Sequence, residues 1–300
     1  MKKNLKKVFI VLMAFALAFS VSAKPKKTVV KKIKKSLMNT EASKDIPTSI
    51  VALSPSAAEI LFAIGAGDQV AAVSEFTDYP EEAKEKPVAG GFDGKALSIE
   101  TILSFKPDLV YLTQGMHDFL VQPLDEYGIS WFMAKGTSIE DIKQEIIEIG
   151  KITGHAKGAV DVITDMEKKL KKASDALLQE EAAAEPVTIY YEVWNSPYMS
   201  IGSSSFLNDV IMAAGGKNIF DDITEAYPVI SEESLIARNP QVILLPAGNG
   251  ITVEDVQARA GWENIDAVVN GKIYIIDDNL YSRPGPRCAD VVLDLSELIK

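Results

Sequence analysis

The stretch SIETILSFKPDLVYL at residues 98–112 returns later in the same chain as SEESLIARNPQVILL at residues 231–245. Each copy begins with a serine suited to capping a helix, continues through a short helical segment that a proline stops, and ends in an apolar run. Apolar runs of this kind are typical of strands buried on both faces of a parallel sheet. The repeat therefore predicts two units built on one plan.

A shorter repeat supports the first. The segment EILFAIG at residues 59–65 matches DVIMAAG at residues 209–215, and both predict a helix ended by a glycine cap. Strands and helices alternate around these repeats, which is typical of α/β lobes with mainly parallel sheets. In the first lobe we expect strands at 49–53, 70–73 and 130–134, a loop over 77–96, and helices near 119–127 and from residue 138. The second lobe should repeat this order from residue 187, with a late strand at 272–276 and a helix after residue 286.

Between the two units, the segment from about 155 to 184 contains no proline and carries apolar residues at alternating spacings of three and four. This spacing predicts one long amphipathic helix that spans roughly 40 Å. The expected fold is α/β, with two Rossmann-like lobes joined by a single long helix: a first lobe at 46–154, the linker helix at 155–185 and a second lobe at 186–300. A stiff helical linker favours a small closing motion between the lobes.

The amino terminus predicts export. Four lysines precede an apolar run from Val8 to Phe19, and the small residues near Ala23 suit cleavage, so residues 1–23 are interpreted as a signal peptide. No cysteine lies near residue 23, which argues against a lipoprotein anchor, and we expect a soluble periplasmic protein. Residues 24–45 form a basic leader with eight lysines. Positive charge there resists translocation, so an uncleaved membrane anchor stays as the alternative.

Charge and cysteine content exclude several classes of function. The chain has a formal net charge of −11, and because the leader is basic, the body from residue 46 onward is more acidic still. An acidic body does not favour binding to nucleic acid or to anionic lipid. Cys288 is the only cysteine, so a disulfide within the chain and a metal site built on cysteines are both excluded.

The ordered set of motifs resembles the periplasmic substrate-binding proteins of ABC importers for metal chelates, a group that includes vitamin B12-, ferric siderophore- and haem-binding proteins. The matching stretches lie at 50–56 with Glu59, at 77–80, at 100 and 106–110, at 215–220, at 231–240 and at 283–287. The resemblance covers nearly all of the chain after the leader. It implies a protein without catalytic residues that captures a chelate between two lobes and delivers it to an ABC permease dimer in the inner membrane.

The resemblance also implies a role for two glutamates, one in each copy of the repeat. In this family one glutamate on each lobe docks onto the permease, and the matching positions are Glu100 and Glu233. Glu232 is the neighbour that is most easily confused with Glu233. The alternative is that both are ordinary first-turn acids that complement the helix dipole.

We expect the ligand to lie between the lobes, because loops at the carboxyl ends of parallel strands meet there. Aromatic faces suit flat chelates, and tyrosine or arginine can pair with carboxylates. The predicted ligand-binding residues are Phe76, Tyr79, Phe92, His117, Trp194, Tyr198, Tyr227, Tyr281 and Arg283. For each aromatic residue ordinary packing is the alternative, and for Arg283 it is a salt bridge to a nearby acid.

No cofactor of the protein's own is predicted, although the ligand should contain cobalt or iron. His117 follows a strand end, which makes it a candidate axial ligand to such a metal, or else a loop residue that forms hydrogen bonds. His155 is predicted to start the linker helix. With two histidines and one cysteine, a dedicated zinc site would depend on carboxylates and is disfavoured.

Two other classes of function stay open. An α/β enzyme is disfavoured, because residues 202–205 do not form a G-x-S-x-G elbow and the glycines at 65–67 follow a helix rather than a strand. A sensor or scavenger of the same fold that lacks a permease is the other alternative. In the importer and sensor interpretations alike, the protein is expected to be a monomer.

Overall fold

The computed structural model describes residues 46–91, 97–178 and 185–300. The predicted signal peptide and leader therefore lie outside the described residues. None of the helices in the described ranges combines the length and the apolar character that a membrane span needs.

The first lobe is built on a five-stranded parallel sheet in the order β3-β2-β1-β4-β5. Its strands are β1 Ile50–Ala52, β2 Val70–Ser74, β3 Val88–Gly90, β4 Leu109–Thr113 and β5 Ser130–Ala134. Its helices are α1 Pro55–Ala63, α2 Glu81–Lys84, α3 Ile99–Ser104, α4 Val121–Glu126 and α5 Ile139–Ile152. The central strand β1 is fully buried, as expected for a strand covered on both faces.

The second lobe has a four-stranded parallel sheet in the order β11-β10-β6-β9 and a separate antiparallel hairpin. The sheet strands are β6 Val187–Tyr191, β9 Gly216–Asn218, β10 Val242–Pro246 and β11 Ile273–Ile276, and the hairpin strands are β7 Trp194–Asn195 and β8 Tyr198–Met199. The helices are α7 Phe206–Ala213, α8 Glu232–Arg238, α9 Val253–Gln257, α10 Asp266–Val269, α11 Asp278–Tyr281 and α12 Cys288–Leu298.

A single helix, α6 at Ala156–Leu177, joins the lobes and begins after His155 as predicted. Its 22 residues span roughly 33 Å, and the rest of the predicted linker, residues 179–184, lies outside the described residues. The buried residues Ile163 and Met166 belong to an apolar cluster that also includes Ile60 of the first lobe and Val291 of the second. The linker helix is therefore part of a core that both lobes share.

The sequence repeat corresponds to a repeat of backbone geometry. Ser98 and Ser231 cap α3 and α8 in the same way, each accepting a hydrogen bond from the amide three residues later. The residue before each proline is left-handed, with φ 48° at Lys106 and 43° at Asn239. In the first copy, the residue after the proline is Asp108, and its side chain accepts a hydrogen bond from the amide of Ser49. The predicted fold class and the common plan of the two lobes are thus confirmed.

Two local predictions were wrong. Residues 77–96 were expected to form a loop, but they contain α2 and the edge strand β3, which pairs with β2 through Val73 and Val88. A three-residue edge strand depends on that pairing more than on local periodicity, so the segment carried little strand signal. The second lobe does not repeat the order completely, because its sheet has four strands and the hairpin β7-β8 is inserted after β6.

Candidate functional site

The candidate site is the crevice where the carboxyl ends of the two sheets meet. The segment RPGPR at residues 283–287, which we call the strap, crosses from the second lobe to the first. Arg283 donates a hydrogen bond from Nη2 to the carbonyl oxygen of Phe76, two residues after β2. Pro284 lies about 3.0 Å from where a Cβ on Gly136 would stand, two residues after β5. The strap therefore brings the carboxyl ends of first-lobe strands against the second lobe.

Three of the predicted aromatic residues are exposed on loops or short strands that come after sheet strands of the two lobes. Phe76 is 56 % exposed, Trp194 is 47 % exposed and Tyr227 is 48 % exposed. Trp194 begins the hairpin directly after β6, and its indole nitrogen donates to the carbonyl of Ser196. These side chains come from both lobes and are accessible, so they stay predicted ligand contacts.

Tyr79 is half-exposed, but its ring is partnered by the strap. The guanidinium carbon of Arg287 lies 3.8 Å from the ring centroid, which is a close cation–π contact. Tyr79 also borders a cleft of about 370 Å³ that is lined by residues of α6, including Asp161 and Met166. The ring therefore faces the strap and the linker helix.

A larger cleft, of about 710 Å³, opens on the flank of the first lobe. Its lining includes Phe62, Gly65 and Lys86. Glu59 and Tyr79 also border this cleft, and both of them border the smaller cleft as well.

Two predicted tyrosines are packed within the second lobe. Tyr281 is only 3 % exposed, and its hydroxyl donates to Asp294 at 2.5 Å. Burial raises the pKa of Tyr281, followed in importance by the hydrogen bond to Asp294 and its charge. Tyr198 packs beside Trp262, with ring centroids 5.8 Å apart, and its hydroxyl donates to Glu232. Tyr281 is too buried to contact a ligand, and the prediction for it is corrected to packing and hydrogen bonding, whereas the half-buried Tyr198 stays a predicted contact.

His117 is fully buried, and its Nδ1 accepts a hydrogen bond from the amide of Thr113 at 2.9 Å. The ring therefore holds the loop after β4 together. The alternative interpretation of this residue, a loop histidine that forms hydrogen bonds, is the one that the geometry supports, and the prediction of an axial metal ligand is corrected.

Arg283 forms a salt bridge with Asp78 across the lobes. It also donates a hydrogen bond from Nη2 to Oδ1 of Asn279. Burial raises the pKa of Asp78, but the hydrogen bond and charge of Arg283 outweigh it and leave that pKa below its usual value. The Arg283 side chain is 11 % exposed, so these contacts within the protein occupy most of it. The salt-bridge alternative for this residue is the observed one.

Sequence reasoning missed the ionic network behind the hairpin. Glu192 is fully buried directly after β6, and Arg259 donates to both of its carboxylate oxygens, at 2.5 and 2.8 Å. The same guanidinium lies 5.3 Å from the ring centroid of Tyr198. Such a pair fixes the start of the hairpin that carries Trp194. The available signal was a glutamate inside an apolar run, YYEVW at 190–194.

The two predicted docking glutamates occupy equivalent and exposed positions. Glu100 and Glu233 are each the second residue of a helix, and Glu100 accepts a hydrogen bond from the hydroxyl of Ser98 at 2.6 Å. Glu232 is different, because one of its oxygens accepts from Trp262 at 2.7 Å and from Tyr198 at 3.2 Å. The geometry therefore leaves Glu233, and not Glu232, available to an external partner.

Within the described ranges, no group of three or more metal-ligating side chains could hold a metal ion. Phe92, the remaining predicted contact, lies outside the described residues. The described crevice therefore offers aromatic surface and polar loops rather than a set of metal ligands.

Comparison with known proteins gives consistent findings. The profile of a family described as periplasmic binding protein matches residues 50–280. A cobalamin-binding protein of Halobacterium salinarum is 28 % identical over 255 residues, which covers 81 % of this chain and 67 % of that protein. A vitamin B12-binding protein of Vibrio parahaemolyticus is 26 % identical over 250 residues, which covers 83 % of this chain and 88 % of that protein.

Among solved structures, the periplasmic vitamin B12 binding protein of Vibrio cholerae superposes with a TM-score of 0.73 at 25 % identity. The match covers 84 % of this chain and 96 % of that one. The similarity therefore includes both lobes and the helix between them. These relatives are binding proteins rather than enzymes.

Proposed function

The chain belongs to the periplasmic binding protein family, and on that premise we propose that it captures a cobalt corrinoid of the cobalamin type and delivers it to an ABC permease. The observation that supports the proposal is a set of exposed aromatic side chains on loops and short strands of both lobes. Phe76 comes from the first lobe, and Trp194 and Tyr227 come from the second. Large, flat chelates bury well against such faces.

The positions of the two histidines favour a corrinoid over a haem that is held by an axial histidine. Haem iron in proteins is commonly held by an axial side chain. His117 is buried and accepts a hydrogen bond from Thr113, and Nδ1 of His155 lies 2.9 Å from the carbonyl of Thr153 at the start of the linker helix. A cobalamin carries its own axial base, so it requires shape and aromatic surface from the protein rather than a ligand to the metal.

Thermal unfolding with cyanocobalamin, haemin and a ferric hydroxamate tests this proposal. At ~100 times its dissociation constant, the true ligand should raise the free energy of unfolding by about 2.7 kcal/mol. We expect this shift with cyanocobalamin, and we expect Phe76→Ala and Trp194→Ala to weaken it. Tyr281→Phe, a change at a buried tyrosine, is the matched control that should leave affinity unchanged. A shift with another chelate alone would reject the corrinoid, and no shift with any of them would reject chelate binding.

Delivery to a permease is proposed to use Glu100 and Glu233, supported by their exposure and equivalence. Replacing both with glutamine should abolish stimulation of permease ATPase activity and leave ligand affinity intact, because the exposed carboxylates lie outside the crevice. Glu232→Gln is the matched neighbour control, since its oxygen is occupied inside the lobe. Unchanged stimulation in the double variant would favour the sensor interpretation, and chemical turnover of bound ligand would favour an enzyme.

A further inference from the structure

The shorter sequence repeat places two acids at matching positions, Glu59 of α1 and Asp209 of α7. Both side chains reach across to the other lobe. Each one meets the beginning of a helix there: Glu59 meets α12, the last helix of the second lobe, and Asp209 meets α5, the helix after β5. The two contacts are therefore reciprocal.

Glu59 is 2 % exposed and binds the end of the strap. Its Oε1 accepts from the amide of Arg287 at 3.1 Å, and its Oε2 accepts from Nε and Nη2 of the same residue at 2.9 and 2.8 Å. Arg287 is the residue that precedes the first turn of α12. The carboxylate thus engages both the guanidinium and the start of that helix.

Asp209 makes the reciprocal contact, from the second lobe to the first. Its Oδ2 accepts from the amide of Ile139 at 2.7 Å, and Ile139 is the first residue of α5. The cap residue Ser138 already accepts from the amide of Asp141, so Asp209 satisfies a different amide of the first turn. Carboxylates are favourable at this end of a helix, where unpaired amides and the helix dipole both present positive charge.

From this arrangement we infer that Glu59 and Asp209 are positioning residues that fix the separation of the lobes. The inference deepens the proposed function and rests on it for its purpose, because a preset crevice lowers the cost of ordering the protein around a ligand. The linker helix and the shared apolar core hold the lobes together, and the two reciprocal contacts add a restraint on their relative rotation. The Asp78–Arg283 salt bridge is a third contact between the lobes. It is more exposed than the other two, and the variants described below leave it intact.

Spin labels on each lobe measure the separation directly. Tyr127 and Val269 are exposed at 61 % and 65 %, on the first and second lobes respectively. Cysteines placed there can be labelled selectively, because Cys288 is fully buried and burial raises the pKa of its thiol to about 12. In the ligand-free full chain, Glu59→Ala with Asp209→Ala should broaden the distance distribution at least ~2-fold.

The conservative variants Glu59→Gln and Asp209→Asn keep an acceptor oxygen and should restore part of the narrow distribution. Asp222→Ala is the matched control, because it removes a salt bridge with Arg238 inside one lobe and should leave the distribution unchanged. An unchanged distribution in the folded double alanine variant would overturn the inference. Should that variant fail to fold, Asp209→Asn alone must broaden the distribution more than Asp222→Ala, and failure to do so overturns the inference equally. Because no ligand is added, the result is independent of whether cobalamin binds.

Discussion

Leu53 of the first lobe and Glu192 of the second occupy the same place, one residue past the end of the central strand. The amide of each donates to the neighbouring strand at equivalent carbonyls, those of Tyr111 and Leu244. Both side chains are fully buried, yet one is apolar and the other is a glutamate that forms a salt bridge with Arg259. The same backbone is thus held by apolar packing in one lobe and by an ion pair in the other.

The same difference between an apolar and a polar residue is found at the first residue of the two repeated helices, α3 and α8. Ile99 packs against an apolar cluster in the first lobe, whereas Glu232 accepts hydrogen bonds from Trp262 and Tyr198 in the second. The two polar replacements flank the hairpin that is inserted after β6. A short hairpin with little core of its own gains a defined position from charged hydrogen bonds.

The largest effect should come from breaking the ion pair. Arg259→Ala leaves Glu192 buried without its partner, and we expect it to lower the free energy of unfolding by about 3–5 kcal/mol in a urea titration. Replacing both residues by leucine, which makes this position resemble Leu53, should cost far less. A double variant as unstable as Arg259→Ala would show that the comparison with the first lobe does not hold.

Making the second helix resemble the first is a milder change. Glu232→Ile leaves the indole of the fully buried Trp262 without an acceptor, so we expect a loss of about 1–3 kcal/mol of unfolding free energy. Glu233→Gln should stay within about 0.5 kcal/mol, because that side chain is exposed. Equal losses in the two variants would contradict the distinction between the neighbouring glutamates.

Glycine substitutions at the two left-handed residues before the prolines should change the free energy of unfolding in opposite directions. Lys106→Gly relieves a backbone conformation that a lysine adopts at a cost, and it should raise the free energy of unfolding by up to about 1 kcal/mol. Asn239→Gly should lower it by a similar amount, because the Asn239 side-chain oxygen accepts from the amide of Asp266 at 2.8 Å. Thermal unfolding of the two variants side by side measures both signs.

The smallest expected effect concerns Glu100. The hydrogen bond from Ser98 lowers the pKa of Glu100, so this contact stabilises the fold above the unfolded-state pKa and is lost as the pH falls through the folded-state value. A carboxyl titration followed by NMR should show the lowered pKa, and Ser98→Ala should raise it. An unchanged pKa of Glu100 in that variant would show that Ser98 is not the cause of the lowered value.

The fold was predictable because its determinants are local and repeated. Serine caps, glycine stops and apolar strands all occur twice, and each has a direct physical meaning at its own position. The edge strand β3 was missed because its three residues are stabilised by pairing with β2, which no local pattern reports.

The candidate site was less predictable, because a side chain's type does not give its direction. Phe76 and Tyr281 are both aromatic residues on loops or short helices near strand ends, yet one is exposed and the other donates a buried hydrogen bond to Asp294. Arg283 also depends on distant sequence, since its partner Asp78 lies in a different lobe. Such pairings become visible only when the chain is folded.

The single linker helix α6 also has a consequence for the kinetics of uptake. Under the proposed function, a continuous 22-residue helix between the lobes limits their relative motion, so we expect capture not to wait for a slow opening step. Association rates should then differ little between ligands of similar size and charge, and the residence time of each ligand should determine which one is retained.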